Sequence, residues 1–150
     1  MPQSLSKILL HIIFSTKNRS KLILPEFENE LHAYLAEICK ANNSNAYKVG
    51  GTENHTHIAF SLPRTLTVSS LLEEVKSSSS KWMKSKSPRC SLFAWQNGYG
   101  AFSLGQSQLP TLIRYIENQH EHHKQKSYEE ELLEFLKLYE VEFDEKYLWD

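Results

Sequence analysis

The sequence predicts a single α+β domain in which helices cover one face of an antiparallel sheet. Short runs of apolar and β-branched residues, typical of strands, alternate with longer segments whose apolar residues recur at helical spacing. The chain has 150 residues, of which 40% are hydrophobic and 23% are charged. This composition is that of a globular protein, and the length is enough to bury one sizeable core.

The first half of the chain predicts a β-α-β-β order. Asn42 to Asn45 is a polar stretch that ends the helix, and Pro63 ends the third strand. A turn is expected at Gly50-Gly51, and a polar, basic loop at residues 15–20. The predicted elements are a strand at residues 7–16, a helix at 26–42, a strand at 46–49 and a strand at 55–62.

The second half adds a helix, a strand and two further helices. Thr67, Ser107 and Ser127 are residues that can cap helix N-termini, and Gly98 and Gly100 suggest a bulge in the fourth strand. The resulting β-α-β-β-α-β order is that of a ferredoxin-like sheet. The predicted elements are a helix at residues 67–86, a strand within 92–102, and helices at 107–124 and 127–139.

Charge is distributed unevenly along the chain. Residues 1–100 carry a net charge of +5 and residues 101–150 a net charge of −6, which gives the overall −1. Within one domain over residues 1–150, we expect a core at residues 1–126 and an acidic C-terminal helix and tail at 127–150. A mildly basic body is compatible with nucleic-acid binding, although an ordinary solvated surface explains it equally well.

Several functional classes are not expected. The longest apolar run, residues 8–14, is too short to cross a membrane, and the start of the chain does not have the pattern of a signal peptide. Cys39 and Cys90 are isolated in the sequence and lack metal-binding or redox spacing. We expect reduced thiols in a cytoplasmic protein.

The strongest chemical signal is the segment His55-Thr56-His57 in the third strand. Side chains alternate across a strand, so the two histidines point to the same, open face of the sheet. Two imidazoles about 7 Å apart at their Cβ atoms can share a metal ion. Two polar residues on a solvated strand would look the same, so a third ligand from elsewhere is needed to establish a metal site.

A second signal lies on the helix that contains Tyr115. An apolar stripe predicts that this helix docks on the sheet, and Tyr115 and Gln119 are four residues apart beside the stripe. A phenol and a carboxamide on one rigid helix can act together at a metal site. Spacing alone does not choose Tyr115 over Tyr99, Tyr128 or Tyr139, and a tyrosine beside an apolar stripe is often a packing residue.

These motifs, in this order along nearly the whole chain, resemble the single-tyrosine HUH transposases of small insertion sequences and REP-associated genes. The matching segments are Phe14 to Arg19, the His55-Thr56-His57 strand, Gly98 to Ser103, Tyr115-Ile116-Glu117-Asn118-Gln119 with His122-His123, and Glu142 to Trp149.

The resemblance implies an enzyme that cleaves and rejoins single-stranded DNA at hairpin-marked ends through a 5′-phosphotyrosine. It makes Tyr115 the nucleophile and His55, His57 and Gln119 the ligands of a divalent Mg²⁺ or Mn²⁺ ion. It implies no organic cofactor, a homodimer, and active sites that are completed in cis or in trans. The residue between the histidines is usually bulky and apolar in this family, whereas here Thr56 brings a hydroxyl group that needs a partner.

Single-stranded DNA would require cations for phosphates and aromatic rings for bases. The candidates are Lys17, Arg19, Lys81, Lys84, Lys86, Trp95 and Tyr99. Ordinary solubility would also explain the lysines, and core packing would also explain Trp95. Three other functions stay open: a domesticated protein that binds hairpin DNA without transposition, a replication or relaxase-type HUH nuclease, and a hydrolase with a zinc-bound water.

Overall fold

A computed structural model of the chain, describing residues 2–150, has one four-stranded antiparallel sheet. The strands are β1 (Leu9–Ser15), β2 (Asn45–Gly51), β3 (His55–Ser61) and β4 (Gly100–Ser103). Their order across the sheet is β2-β3-β1-β4. This arrangement confirms the predicted α+β, ferredoxin-like class, with β1 and β3 as the two central strands.

Six helices and three short 3-10 turns accompany the sheet in the described part of the chain. The helices are α1 (Pro25–Ala41), α2 (Val68–Lys84), α3 (Leu109–Glu117), α4 (Gln119–His122), α5 (Tyr128–Leu138) and α6 (Glu145–Leu148). The 3-10 turns are Lys17–Arg19, Pro88–Cys90 and Gln106–Gln108. None of the helices is long and apolar enough to pass through a membrane.

Helices α1 and α2 cover one face of the sheet and enclose the main core. Leu35 of α1 and Val75 of α2 meet the inward residues Ile12, Ile58 and Phe60 of the central strands, and all five are fully or almost fully buried. Helix α2 begins where predicted, because the Thr67 hydroxyl accepts a hydrogen bond from the backbone N–H of Ser70 at 3.1 Å. Cys39 and Cys90 are free thiols in this core.

Helices α3 and α5 cover part of the opposite face, which the sequence predicted to be open. Leu109 and Ile116 of α3 pack on Leu9 and Ala59, while α5 packs on Ile13 of β1. The surface that carries His55 and His57 is therefore enclosed by the C-terminal helices, and the prediction of an open face there was wrong.

Three local predictions also differ from the structure. The predicted helix over residues 107–124 is two helices, because Asn118 leaves the helical conformation (φ −99°, ψ 21°), and Ser107 lies inside a 3-10 turn instead of capping α3. Strand β2 continues through the glycines where a turn was expected, since Gly50 pairs with His57. Strand β4 begins only at Gly100, and the residues before it form a loop.

Candidate metal and nucleophile site

Strand β3 brings His55 and His57 to the same face of the sheet, as its alternation predicts. Both side chains are fully buried, and their ring centroids lie 5.1 Å apart with the planes at 75°. Their common face is the one beneath α3 and α5. The two imidazoles are thus close enough to act on one ion, in a pocket that excludes bulk water.

Hydrogen bonds fix which nitrogen of each histidine faces the pocket. His55 Nδ1 lies 2.8 Å from Asn54 Oδ1, and His57 Nδ1 lies 2.7 Å from the Nε2 atom of His11 on β1. Both Nε2 atoms therefore point into the pocket. An imidazole held through one nitrogen with the other free for a ligand is the usual arrangement at a metal site.

Helix α3 delivers Tyr115 to this pair of histidines. Ile116 anchors the helix on the sheet, and it approaches so closely that a Cβ on Gly50 would lie 2.7 Å from the Ile116 carbonyl oxygen. The Tyr115 ring consequently lies edge-on to His57, with centroids 5.8 Å apart. The docking stripe predicted for this helix is confirmed by the burial of Leu109 and Ile116.

Gln119, the first residue of α4, reaches the same pocket. Its Oε1 atom lies 2.9 Å from His55 Nε2, and its side-chain amide lies 3.4 Å from the Tyr115 carbonyl oxygen. The structure thus brings together His55, His57, Tyr115 and Gln119, the four residues that the sequence analysis selected.

Two residues that the sequence analysis did not select complete the pocket. Glu131 of α5 places Oε1 3.0 Å from His57 Nε2 and accepts a short hydrogen bond from the Tyr115 hydroxyl through Oε2. His123, just after α4, lies 3.2 Å from Glu131 Oε1 through its Nε2 atom. Helix α5, which lies in the acidic helix and tail predicted at residues 127–150, therefore contributes a wall of the site.

A signal for Glu131 was present in the sequence. Tyr128, Leu132 and Leu136 form the buried stripe of α5, and Glu131 lies on that stripe although it is acidic. Its side chain is only 2% exposed. A buried carboxylate needs partners, so an acid in the middle of an apolar helix face indicates a polar site beneath it.

Burial sets the protonation of the pocket. Desolvation, followed by the neighbouring His57, lowers the pKa of His55 to about 3, and desolvation and the same neighbour lower the pKa of His11 to about 3. Burial raises the pKa of Glu131, but hydrogen bonds from His123 and His57 outweigh it and hold that pKa well below its ordinary value. At neutral pH His55 and His11 are therefore neutral imidazoles, whereas Glu131 is an ionised carboxylate.

The nucleophile candidate is held in its neutral form. Burial, and then the charge and hydrogen bond of Glu131, raise the pKa of Tyr115 far above its usual value. Its ring is half-buried and borders an open cavity of about 550 Å³, which His122, Lys126 and Glu134 also line. A substrate can therefore reach the phenol from this side without unfolding the sheet.

The predicted DNA-contacting residues are exposed, already paired within the chain, or buried. Lys86 is paired, since its Nζ atom lies 2.7 Å from Glu30 Oε2. Lys17, Lys81 and Lys84 are exposed, as is Tyr99 at 39%. Arg19 donates a hydrogen bond to the Trp149 carbonyl oxygen at 3.0 Å, and its guanidinium group lies over the Trp149 ring. This cation is therefore already engaged by a residue of the C-terminal segment.

Trp95 belongs to the core. It is only 8% exposed, packs edge-on against Phe14 and Phe93, and donates its indole N–H to Ser79 at 2.9 Å. Trp95 is therefore not available as a ring on which a base could stack. The hydroxyl of Thr56 is also buried, and it lacks the hydrogen-bond partner that the sequence analysis expected.

Comparisons with known proteins identify the family and the fold. The family model described as "Transposase IS200 like" matches residues 4–119. A solved candidate transposase from Deinococcus radiodurans R1 is 20% identical, with a TM-score of 0.61, over 79% of this chain and 98% of its own. A REP-associated tyrosine transposase solved with a REP hairpin is 16% identical, with a TM-score of 0.60. The match covers 82% of this chain and 73% of that protein.

No curated protein matches the sequence. The two structural likenesses show the shared fold, and the family match covers most of the chain, including every sequence-selected residue of the pocket. The chain belongs to the IS200-like family of single-tyrosine transposases.

Proposed function

We propose that this transposase cleaves and rejoins single-stranded DNA at hairpin-marked ends through a covalent bond to Tyr115. One observation carries the proposal. The Tyr115 hydroxyl and His57 Nε2 bind the two oxygens of the same carboxylate, Glu131, so the nucleophile lies beside the imidazole pair in a buried pocket. A tyrosine that served only in packing would not need this contact with a buried carboxylate.

The donor set fits a divalent cation. His55 and His57 present Nε2 atoms, and Gln119 presents an amide oxygen, so the pocket offers nitrogen and oxygen donors without a thiolate. The chemistry that a Mg²⁺ or Mn²⁺ ion supplies when bound is neutralisation and orientation of the scissile phosphate. An organic cofactor is not part of the proposal.

The residues of the chain supply the nucleophile and its alignment. The phenol oxygen of Tyr115 forms a bond to phosphorus while the bond from phosphorus to the 3′ oxygen breaks. The phenol releases its proton to water and the leaving 3′ oxygen takes up a proton from water, so the products are a 5′-phosphotyrosine and a free 3′-OH end. Because one phosphoester replaces another, a second 3′-OH can reverse the step and join new ends.

Substrate binding is assigned to the exposed residues. Lys17, Lys81 and Lys84 would contact backbone phosphates, and Tyr99 would stack on a base. The REP-associated relative was solved with a REP hairpin, which supports a hairpin as the DNA element recognised.

Assembly of the site in cis is the simplest reading of the geometry. Tyr115 lies against His57 of its own chain, and Gln119 contacts His55 of its own chain. One protomer therefore holds every residue of the proposed site. A homodimer, and an exchange of α3 between its protomers, stay predictions from the family resemblance.

The test is an adduct assay on purified protein. Labelled single-stranded hairpin oligonucleotides and Mn²⁺ should give a protein–DNA adduct that survives denaturation, and both EDTA and Tyr115→Phe should abolish it. Hairpin binding without any adduct would favour the domesticated binding protein. Cleavage that persists in Tyr115→Phe would favour a hydrolase with a metal-bound water and refute the covalent mechanism.

A further inference from the structure

We propose that Glu131 and His123 join His55, His57 and Gln119 as ligands of the catalytic metal, so that the site contains three imidazoles and one carboxylate beside the amide oxygen. This inference rests on the proposed function and deepens it. It also assigns helix α5 to the catalytic machinery, whereas the metal ligands inferred from the sequence were His55, His57 and Gln119.

The distances from Glu131 Oε1 to the three imidazoles are close to those between neighbouring donors in a coordination shell. Glu131 Oε1 lies 3.0 Å from His57 Nε2, 3.2 Å from His123 Nε2 and 3.6 Å from His55 Nε2. All four ligand atoms lie within 4.8 Å of one another. Bonds of about 2.1 Å to a metal place neighbouring donors roughly 3.0 to 3.4 Å apart.

The fold holds Glu131 in place independently of any ion. Tyr128, one helical turn before it, and Leu132, directly after it, are buried against the sheet, so α5 cannot slide without losing apolar contacts. The Ser127 hydroxyl caps the helix by accepting from the Glu130 N–H at 3.1 Å. A carboxylate fixed in this way is preorganised for coordination, which is the condition for tight binding.

Glu131 also connects the metal donors to the nucleophile. One oxygen faces the imidazoles, while the other accepts the Tyr115 hydroxyl hydrogen bond. A cation held by Glu131 would therefore lie next to the phenol and keep it oriented. Three imidazoles and one carboxylate suit Mn²⁺, Co²⁺ or Zn²⁺ better than Mg²⁺, which prefers oxygen donors and retained waters.

The test measures Mn²⁺ affinity directly, with calorimetry and with the electron paramagnetic resonance signal of free Mn²⁺, in the absence of DNA. Glu131→Gln keeps the size of the side chain and removes its charge. We expect the Mn²⁺ dissociation constant to rise at least about tenfold, because ligand or supporting-group losses at metal sites have effects of this size or larger. His123→Gln should weaken binding as well.

Matched variants separate coordination from misfolding. Glu130→Gln changes an exposed neighbour on the same helix and should leave Mn²⁺ affinity unchanged. Glu131→Asp keeps the carboxylate and should bind Mn²⁺ more tightly than Glu131→Gln. Circular dichroism of each variant must show the wild-type fold for its affinity to count.

The outcomes distinguish this inference from the function on which it rests. If His57→Ala loses Mn²⁺ binding while Glu131→Gln and His123→Gln bind as the wild type does, the metal site stands and this ligand assignment is overturned. If the wild type itself binds no Mn²⁺, the proposed metal-dependent function fails first. If His57→Ala, Glu131→Gln and His123→Gln all lose Mn²⁺ affinity and Glu131→Asp keeps part of it, both the metal site and this ligand assignment are supported.

Discussion

Gly50→Ala should separate the placement of the tyrosine helix from the chemistry of its side chains. Gly50 lies on β2 directly under α3 and contributes no side chain to the pocket. A Cβ atom added there would meet Ile116 Cγ2 at 2.6 Å and the Ile116 carbonyl oxygen at 2.7 Å. The side-chain methyl can rotate away, but the backbone oxygen cannot, so the helix itself must move.

The size of the effect follows from these distances. Ordinary contact begins near 3.4 Å, so α3 must shift by about 0.7 to 0.8 Å at Ile116, the residue after Tyr115. Overpacking of a core contact costs about 1–3 kcal/mol of unfolding free energy. A displacement of roughly 1 Å between reacting groups costs about 100-fold in rate, and we expect Gly50→Ala to slow adduct formation by about 10- to 100-fold.

The assay compares Gly50→Ala with Gly98→Ala. A Cβ on Gly98 meets nothing within 4 Å, so this variant introduces the same methyl group without a clash. Urea denaturation gives the unfolding free energy, and single-turnover adduct formation at saturating Mn²⁺ and DNA gives the rate. If the two variants react at the same rate, the packing of α3 on β2 does not position Tyr115 and the reasoning is refuted.

Two further predictions concern the buried histidines and the aromatic residues. Because the pKa values of His11 and His55 fall from 6.5 to about 3 in the folded chain, the unfolded chain takes up protons below pH 6.5 that the folded chain does not. Each histidine should therefore make the free energy of unfolding about 2 kcal/mol lower at pH 5 than at pH 7. Urea denaturation in the presence of EDTA measures this difference, and equal stability at both pH values would contradict it. Trp95→Ala should lower the free energy of unfolding by about 3–5 kcal/mol. Tyr99→Ala should change the free energy of unfolding by less than about 0.5 kcal/mol but weaken single-stranded DNA binding, measured by titration, by about 1–3 kcal/mol. The reverse pattern would show that their roles are exchanged.

Two different sources account for the parts of the site that the sequence predicted. Strand alternation placed His55 and His57 on one face, and this relation depends only on residues that are close in the chain. The family resemblance selected Tyr115 and Gln119, which stay close together although the helix breaks between them at Asn118. The structure brings these four side chains into one pocket.

The residues that the sequence analysis missed depend on contacts distant in the chain. His11 meets His57 only because β1 pairs antiparallel with β3 in a register that places Ala59 opposite His11. Glu131 reaches the pocket only because α5 packs on the sheet face that was predicted to be open. The core position of Trp95, which the sequence left as an alternative to base stacking, has the same kind of origin, since a bridge to Thr16 draws its loop into the core.

Peptide mapping of the covalent adduct tests the central claim most directly. The wild-type protein is incubated with a hairpin oligonucleotide and Mn²⁺, digested with protease and nuclease, and analysed by tandem mass spectrometry. The account predicts a nucleotide attached through its 5′ phosphate to Tyr115 and to no other tyrosine. Attachment to a different residue, or cleaved DNA with no modified peptide, would contradict it.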